Sequence, residues 1–517
     1  MMKSKTAHKY FRSLFLIGLI LIIFILDSSQ ATAQMGDYWS PQRNIPLYHP
    51  DTFTPYLIAD QDRTVHAFSS QWIGTALGTR AIIYNQWNLD TGWTEPVDII
   101  FPPIKGDARI LGVYLDPSSI FHVALFSGDE TEARIYYSQA PARMADQAHA
   151  WTAPALIGKQ ATVPEHGTIA GDGDGNLVIV YNGEERGKGL YAVYSEVGGS
   201  AWSEPVSIYL TENDEFTPYF LNTILGESGQ LYAVWSVQNK SNHGLAILFS
   251  SLDFNEQQWS EPLPLAETRD SNTLGTWLPI IFEFQDTMFL TYYDGSVTGK
   301  FYQRRSSDLG KTWTRAYAPF PHVGSNLPTS FVVDSNEDLH VFWAQRVTEV
   351  KDESAVHGVW HSVWDNQNKT WSPYESIVRG QVIHDKEGFT GFDPSRVRAV
   401  VSQGNVLLVV WKTDPLARGN GIWYSYTVLD APELPVVPLT TLRPETAPTS
   451  EATVFTSIHN PTSTPIPFVP EPDDPGSGLK NILANPSTPI IGAIFFVIVL
   501  LVTVILLPRL SPFTRNL

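Results

Sequence analysis

The chain has 517 residues, a formal net charge of −19 and no cysteine. The acidic balance excludes nucleic acid as a partner, because that needs a basic surface, and the missing cysteines exclude a disulfide framework. Stability must come from packing, for which 16 Trp, 21 Tyr and 26 Phe supply the material.

Residues 1–34 read as a secretory signal peptide. Lys3, Lys5, Lys9 and Arg12 precede an apolar run from Leu14 to Leu26, and Ala31-Thr32-Ala33 offers small residues for a cut.

Residues 35–430 then repeat. Trp39, Trp93, Trp151, Trp202, Trp259, Trp313 and Trp371 are spaced by 54, 58, 51, 57, 54 and 58 residues. Most open a similar string: WSPQRNI, WTEPVDI, WTAPALI, WSEPVSI, WSEPLPL, WSPYESI. A second series of β-branched and aromatic runs, such as TVHAF, LVIVY, LYAVW and LLVVW, keeps step with the first and predicts strands. Each repeat resolves into four short strands, and radial repetition of four-stranded sheets is a β-propeller. The seventh repeat stops after its third strand, GIWYSYTV, while YWSPQRNI stands unattached near residue 38. The expectation is an all-β, seven-bladed β-propeller of four-stranded blades closed by an N-terminal strand.

From 431 to 489 the chain is rich in Pro, Thr and Ser. Proline fixes φ and removes donors, so this stretch predicts a semi-rigid extended stalk. Residues 490–507 carry no charge and match the length of a transmembrane helix. Arg509 and Arg515 follow it and Glu471, Asp473 and Asp474 precede it. The positive-inside rule then makes 508–517 a cytoplasmic tail, so the chain is expected to be a single-pass type I protein of the cell membrane with its large domain outside.

Residues 306–313, SSDLGKTW, fall between the third and fourth strands of the fifth repeat. Asp can bind turn N–H groups and Gly allows positive φ, so the octapeptide predicts a hairpin turn. Shorter or altered copies stand in repeats one, four and six: NLDTGW, SLDFNEQQW and WDNQNKTW. In the last, Asn366 occupies the Asp position and Asn368 the Gly position. Ser306, Asp308, Gly310, Thr312 and Trp313 resemble the Asp box of the sialidase-like propeller superfamily, and the repeats extend that resemblance over about residues 36–430. The resemblance implies that the box is structural and that ligands bind the opposite, top face, where the 4→1 and 2→3 loops meet.

Those loops hold Glu165, His166, Glu184, Arg186, His243, Trp277, Tyr293, Asp294, Arg346, His357, Asp385, Arg396 and Asp414, and Arg109 starts the first strand of repeat two. A sialidase resemblance implies three arginines clamping a substrate carboxylate, a Tyr with a Glu partner as nucleophile and an Asp as acid/base. Arg109, Arg186, Arg346, Arg396, Tyr293 and Asp294 are the candidates. The family's Arg-Ile-Pro element has only Arg43-Asn44-Ile45-Pro46 to match it here, with one extra residue. For a binding site the candidates are Glu165, His166, Glu184, His243, Trp277, His357, Asp385 and Asp414. No metal or cofactor is expected: GDGDGN at 171–176 lacks the distal Glu of a calcium loop, and His357 and His361 stand on a strand, about 13 Å apart. Three functions remain open: binding of glycan or a surface protein, glycoside hydrolysis of the sialidase type, and a scaffold for protein interaction.

Overall fold

The computed structural model describes residues 34–35, 38–73, 79–129, 131–159, 167–254, 256–268, 273, 275–295, 300–320, 329–345, 356–385, 388–391, 394–413 and 420–439. The expected signal peptide (but for Gln34), most of the stalk and the expected membrane span lie outside them. Among the described residues no helix is long and apolar enough to cross a membrane. The propeller lies within the first of two compact units, Met1–Arg443.

Seven antiparallel sheets follow one another along the chain. Blade 1 comprises Tyr56–Ala59, Val65–Trp72, Arg80–Asn88 and Val97–Ile100. Blade 2 comprises Asp107–Leu115, Ile120–Gly128, Ala133–Pro141 and Ala155–Gly158. Blade 3 has Gly167–Gly171, Leu177–Gly183, Gly189–Ser195 and Val206–Leu210. Blade 4 has Phe216–Leu225, Leu231–Asn239, Gly244–Asp253 and Leu263–Glu267. Blade 5 has Thr276–Phe284, Thr287–Asp294 and Lys300–Ser306. Among the described residues its fourth strand is one bridge, in which Gln303 and Tyr317 exchange backbone hydrogen bonds of 2.8 and 3.1 Å. Blade 6 has Ser330–Val333, Leu339–Gln345, Val356–Asp365 and Glu375–Asp385, the last continuing into a hairpin with Gly388–Gly391. Blade 7 has Pro394–Ser402, Val406–Thr413 and Gly421–Val428, and Arg43–Asn44 pairs with its third strand.

The repeated Trp explains why the sequence repeats. Each indole packs against the blade before its own: Trp93 on Tyr424, Trp151 on Phe68, Trp202 on Tyr137, Trp313 on Phe249 and Trp371 on Phe289, with ring centroids 4.9–6.1 Å apart. Trp259 donates to Tyr194 Oη of blade 3 at 2.8 Å. Trp39, beside blade 7, meets Phe342 of blade 6 edge-on at 6.2 Å. The second strands are the most deeply buried, and Trp235, Trp343 and Trp411 within them are almost wholly enclosed. Burying an aromatic side chain contributes about 2–3 kcal/mol, so a regular belt of them carries much of the ring's stability.

In the turn at 306–313, Asp308 accepts the Thr312 N–H at 2.8 Å, the Thr312 hydroxyl at 2.6 Å and the Ser306 hydroxyl at 2.8 Å. Ser306 Oγ accepts the Gly310 N–H, and Trp313 Nε1 donates to Gly310 O, both at 2.9 Å. Gly310 has φ +83°, and a Cβ there would strike the Phe249 ring at 2.4 Å. Blade 3 repeats the device without the carboxylate: Ser195 Oγ accepts the Gly199 N–H at 2.9 Å, and Trp202 donates to Gly199 O at 3.1 Å. In blade 6 the sequence alignment is corrected by one position. Asp365, not Asn366, accepts the turn N–H groups of Gln367 and Asn368, and Lys369, not Asn368, has positive φ. A carboxylate outcompetes an amide for those donors.

The hydrogen bonds from Thr312 and Ser306 hold the Asp308 carboxyl down at about 2. A lowered carboxylate stabilises the fold above its ordinary range, and that contribution is lost as pH falls from about 4 towards 2. Asp308→Ala is expected to lower the Tm at neutral pH, read by circular dichroism.

Among the described residues three blades carry an Asp–His relay that starts at the turn between their first two strands. His66 Nε2 meets Asp60 at 3.0 Å and Nδ1 meets Tyr84 Oη at 2.6 Å. His122 stands between Asp116 and Tyr137 at 3.3 and 2.7 Å. In blade 6 the chain is longer: His340 lies 3.5 Å from Asp334 and 2.9 Å from His361, whose Nδ1 lies 2.9 Å from Glu375. Trp39 Nε1 donates to that same Glu375 oxygen at 3.4 Å.

After the last strand, residues 429–439 cross the turns between first and second strands. Leu429 and Leu434 donate to Asn405 O and Gln403 O of blade 7, and Val437 donates to Gln61 O of blade 1, each at 2.8 Å. Ser335 and Asn336 of blade 6 donate to Pro432 O and Asp430 O, and Arg63 of blade 1 pairs with Glu433. The first nine residues of the expected stalk, 431–439, are therefore bound to the propeller.

Candidate functional site

The first strands of all seven blades surround one cavity of about 570 Å³ on the propeller axis. That is the size range of small-molecule sites, about 300–1,000 Å³. β-Bulges shape its wall. The first strands of blades 4, 5 and 7 lose register between Tyr219 and Asn222, Trp277 and Ile280, and Ser395 and Arg398. Each bulge holds a non-glycine residue with φ near +50°: Phe220 at 49°, Leu278 at 56° and Arg396 at 49°. Bulges re-aim side chains, and left-handed backbone at such residues costs of order 1–3 kcal/mol, a strain that gathers at functional sites.

On one side the cavity wall is cationic. Arg109 and Arg396 line it, and their cations, with those of Arg80 and Lys412, which are not among the lining residues, lie 5.2, 5.8, 4.8 and 5.3 Å from the centroid of the same ring, Phe53. Arg80 is also 4.2 Å from the Trp72 ring, and Arg398 stacks 3.6 Å from Tyr56. Cation–π contacts contribute about 0.5–2 kcal/mol each, so Phe53 gathers charges that would otherwise repel. Two carboxylates set the geometry. Arg80 Nη1 donates to Asp51 at 2.9 Å, and Asp107 receives Arg109 Nη2 at 2.9 Å with Arg80 Nε 3.5 Å away. Gln71 Oε1 accepts the His49 N–H at 3.0 Å and the Thr52 hydroxyl at 2.6 Å, which holds the loop carrying Asp51 and Phe53. Burial pushes the Arg80 pKa below its usual value; Asp51 and Asp107 oppose this, and the charge of Arg109 adds to it. Guanidinium forks match carboxylate and sulfate oxygens in a bidentate way, which suits this wall to an anion.

The sequence candidates divide. Arg109, Arg396 and Trp277 line the cavity. Tyr293 pairs with Trp277 across the strands, its ring 5.9 Å away, and Asp294 pairs with Thr276. Burial first, then the Asp294 charge, pushes the Tyr293 phenol up, which opposes formation of a nucleophilic phenolate. Glu184, Arg186 and His243 are not among the lining residues; the Arg186 N–H donates to Tyr191 Oη at 2.8 Å, and the His243 N–H to Asn239 at 3.0 Å. Glu165, His166, Arg346 and Asp414 lie outside the described residues, and His357 and Asp385 are described in backbone only. A Tyr–Glu pair exists in blade 3, where Tyr181 Oη donates to Glu185 at 2.8 Å, but neither residue lines the cavity. Sequence reasoning missed Arg80, Phe53 and Asp51. The signal for Arg80 was the one that found Arg109, an arginine opening a strand at the top face.

The sequence matches no family model and no curated protein. Among solved structures it is similar to the lectin BP39L from Burkholderia pseudomallei, with a TM-score of 0.51 and 12% identity over 74% of this chain and 97% of the lectin. An ulvan lyase of polysaccharide lyase family PL25 gives 0.49 and 13% over 77% and 96%. The NanB sialidase of Streptococcus pneumoniae gives 0.41 and 11% over 76% and 70%. Such identities speak to the fold alone. The chain is a seven-bladed β-propeller whose turn at 306–313 resembles an Asp box, an architecture it shares with the lectin.

Proposed function

We propose that the chain is a glycan-binding protein whose axial cavity takes an acidic sugar, held outside the cell by the span at 490–507. The observation that carries this reading is the convergence of three arginines and a lysine on Phe53 at one side of the cavity. Binding is favoured over hydrolysis because the Tyr–Glu pair stands away from the cavity lining and the Tyr293 phenol is pushed up. The lectin similarity agrees with a propeller used for binding.

The test is calorimetry on the full-length protein with glucuronic acid, N-acetylneuraminic acid and neutral galactose. The acidic sugars are expected to bind and galactose not. A charge-assisted hydrogen bond contributes about 1.5–3 kcal/mol, so Arg109→Ala and Arg396→Ala should each weaken binding about ten- to a hundredfold. Equal binding of galactose, or no acidic sugar bound, refutes the proposal. Turnover of a fluorogenic sialoside would replace it with the hydrolase.

A further inference from the structure

The bulge slot that holds Arg396 in blade 7 holds Phe220 in blade 4 and Leu278 in blade 5. One structural position, repeated around the axis, is thus filled by a cation on one side and by apolar groups on the other. The rest of the lining follows the same division. Among the described residues its charged groups are Arg109 of blade 2 and Arg396 and Arg398 of blade 7, while the described lining residues from blades 3 to 6 carry no charge. In a seven-membered ring blade 1 faces the junction of blades 4 and 5. The cations of blades 7 and 2, gathered on Phe53 beside blade 1, therefore look across the axis at Phe220 and Trp277. These two rings meet at 67° with centroids 5.7 Å apart, and Tyr293 backs Trp277. Trp277 is half-buried, with part of its ring left to the cavity.

Resting on the reading of the cavity as an acidic-sugar site, we propose that its ligand is an oligosaccharide of two or more units that lies across the axis. The acidic unit sits at the Arg109–Arg396 wall, and an uncharged neighbouring unit lays its apolar ring face on Trp277 beside Phe220. A sugar ring exposes C–H groups on one face and hydroxyls at its edge. An aromatic platform matches the first, and the cavity's Asn222, Thr223 and Thr168 can meet the second. A charged unit placed on the aromatic side would lose its hydration without gaining a counter-charge, so the two walls also fix the direction of the chain.

The test compares two ligand pairs on the full-length protein by calorimetry: N-acetylneuraminic acid against the same acid linked to galactose, and glucuronic acid against glucuronyl-glucose. In the wild type at least one disaccharide is expected to bind tenfold or more tightly than its acidic monosaccharide. Trp277→Ala should bring that ratio close to one, and Trp277→Phe should keep part of it. Arg396→Ala should weaken both members of a pair by the same factor. Phe220→Leu reads the same ratio from the other side of the platform, should Trp277→Ala disturb folding. Disaccharides no tighter than monosaccharides in the wild type, or Trp277→Ala weakening both alike, overturn the two-unit ligand while the acidic-sugar reading stands. Failure of every acidic probe to bind overturns both.

Discussion

Trp39→Ala is expected to destabilise the propeller by about 3–5 kcal/mol, the usual cost of emptying a buried tryptophan site. Trp39 is 4% exposed and belongs to a cluster with Phe342, Val378, Val397 and Trp411, which joins blades 6 and 7. Its ring stands 5.7 Å from that of His361, and its N–H reaches Glu375, 336 residues along the chain. Five of the other six tryptophans of the series join blades that are consecutive in sequence, whereas Trp93 joins blade 1 to blade 7 and Trp39 joins an N-terminal segment to the end of the ring. The flanking bonds point the same way: the Ser40 N–H donates to Tyr426 O at 2.8 Å and the Ile45 N–H to Ile422 O at 2.9 Å. Urea unfolding gives the measurement. Trp39→Phe should recover part of the loss, and Tyr38→Ala, at a residue 81% exposed, should change little. A Trp39→Ala midpoint matching that of Tyr38→Ala would mean that residues 38–45 do not help to close the ring in solution.

Acid is expected to weaken the same seam through His340. Burial first, and then the charge of His361, pushes His340 down from the ordinary histidine value of 6.5 to about 4, against the opposing pull of Asp334 and Glu375. A histidine whose pKa is lowered on folding takes up its proton more readily in the unfolded chain. Its contribution is therefore complete above about 6.5 and drains away as pH falls towards 4, with a slope of up to about 1.4 kcal/mol per pH unit. Glu375 acts in the same sense at lower pH, because its hydrogen bond from His361 holds its carboxyl below the usual value. Asp338 and Glu283, pushed up by burial, act in the opposite sense and gain stability on acidification. Comparison with His340→Gln removes these shared contributions, since glutamine keeps a hydrogen-bonding group but does not titrate. Stability should fall more steeply in the wild type than in His340→Gln between pH 6.5 and 4.5, read by urea titration at each pH. Parallel curves would show that His340 keeps its ordinary pKa.

Much of the fold was legible because one packing role recurs. Every tryptophan of the series does the same work against the preceding blade, so selection for packing left a period in the sequence. The turns were less legible. The search keyed on Asp308 and so passed over Ser195, Gly199 and Trp202, which stand at the spacing of Ser306, Gly310 and Trp313 and make the same bonds. The buried relays had a readable sign as well, an Asp six residues before a His at 60/66, 116/122 and 334/340. Arg109, Arg396 and Trp277 were found by searching the loops of one face. Phe53 and Arg80 were not, because their importance lies in convergence: residues 53, 80, 109, 396 and 412 meet only once the ring has closed. The bulges were invisible for a related reason. No glycine marks the left-handed residues at 220, 278 and 396, and only the mismatch between neighbouring strands discloses them.

The segment at 429–439 gives the molecule a defined path for mechanical load. A pull on the chain beyond Leu439 does not peel Gly421–Val428 directly from blade 7. It first strains the bonds of Val437 to blade 1, then those of Leu434 to blade 7 and of Pro432 and Asp430 to blade 6. Those anchors lie on both sides of the junction where the N-terminal strand joins the ring. Tension is thus shared among three blades, and the junction is spanned by the loaded segment itself. A head tethered by its C-terminus and tugged by a bound ligand would transmit that force through several blades at once, leaving its last strand shielded.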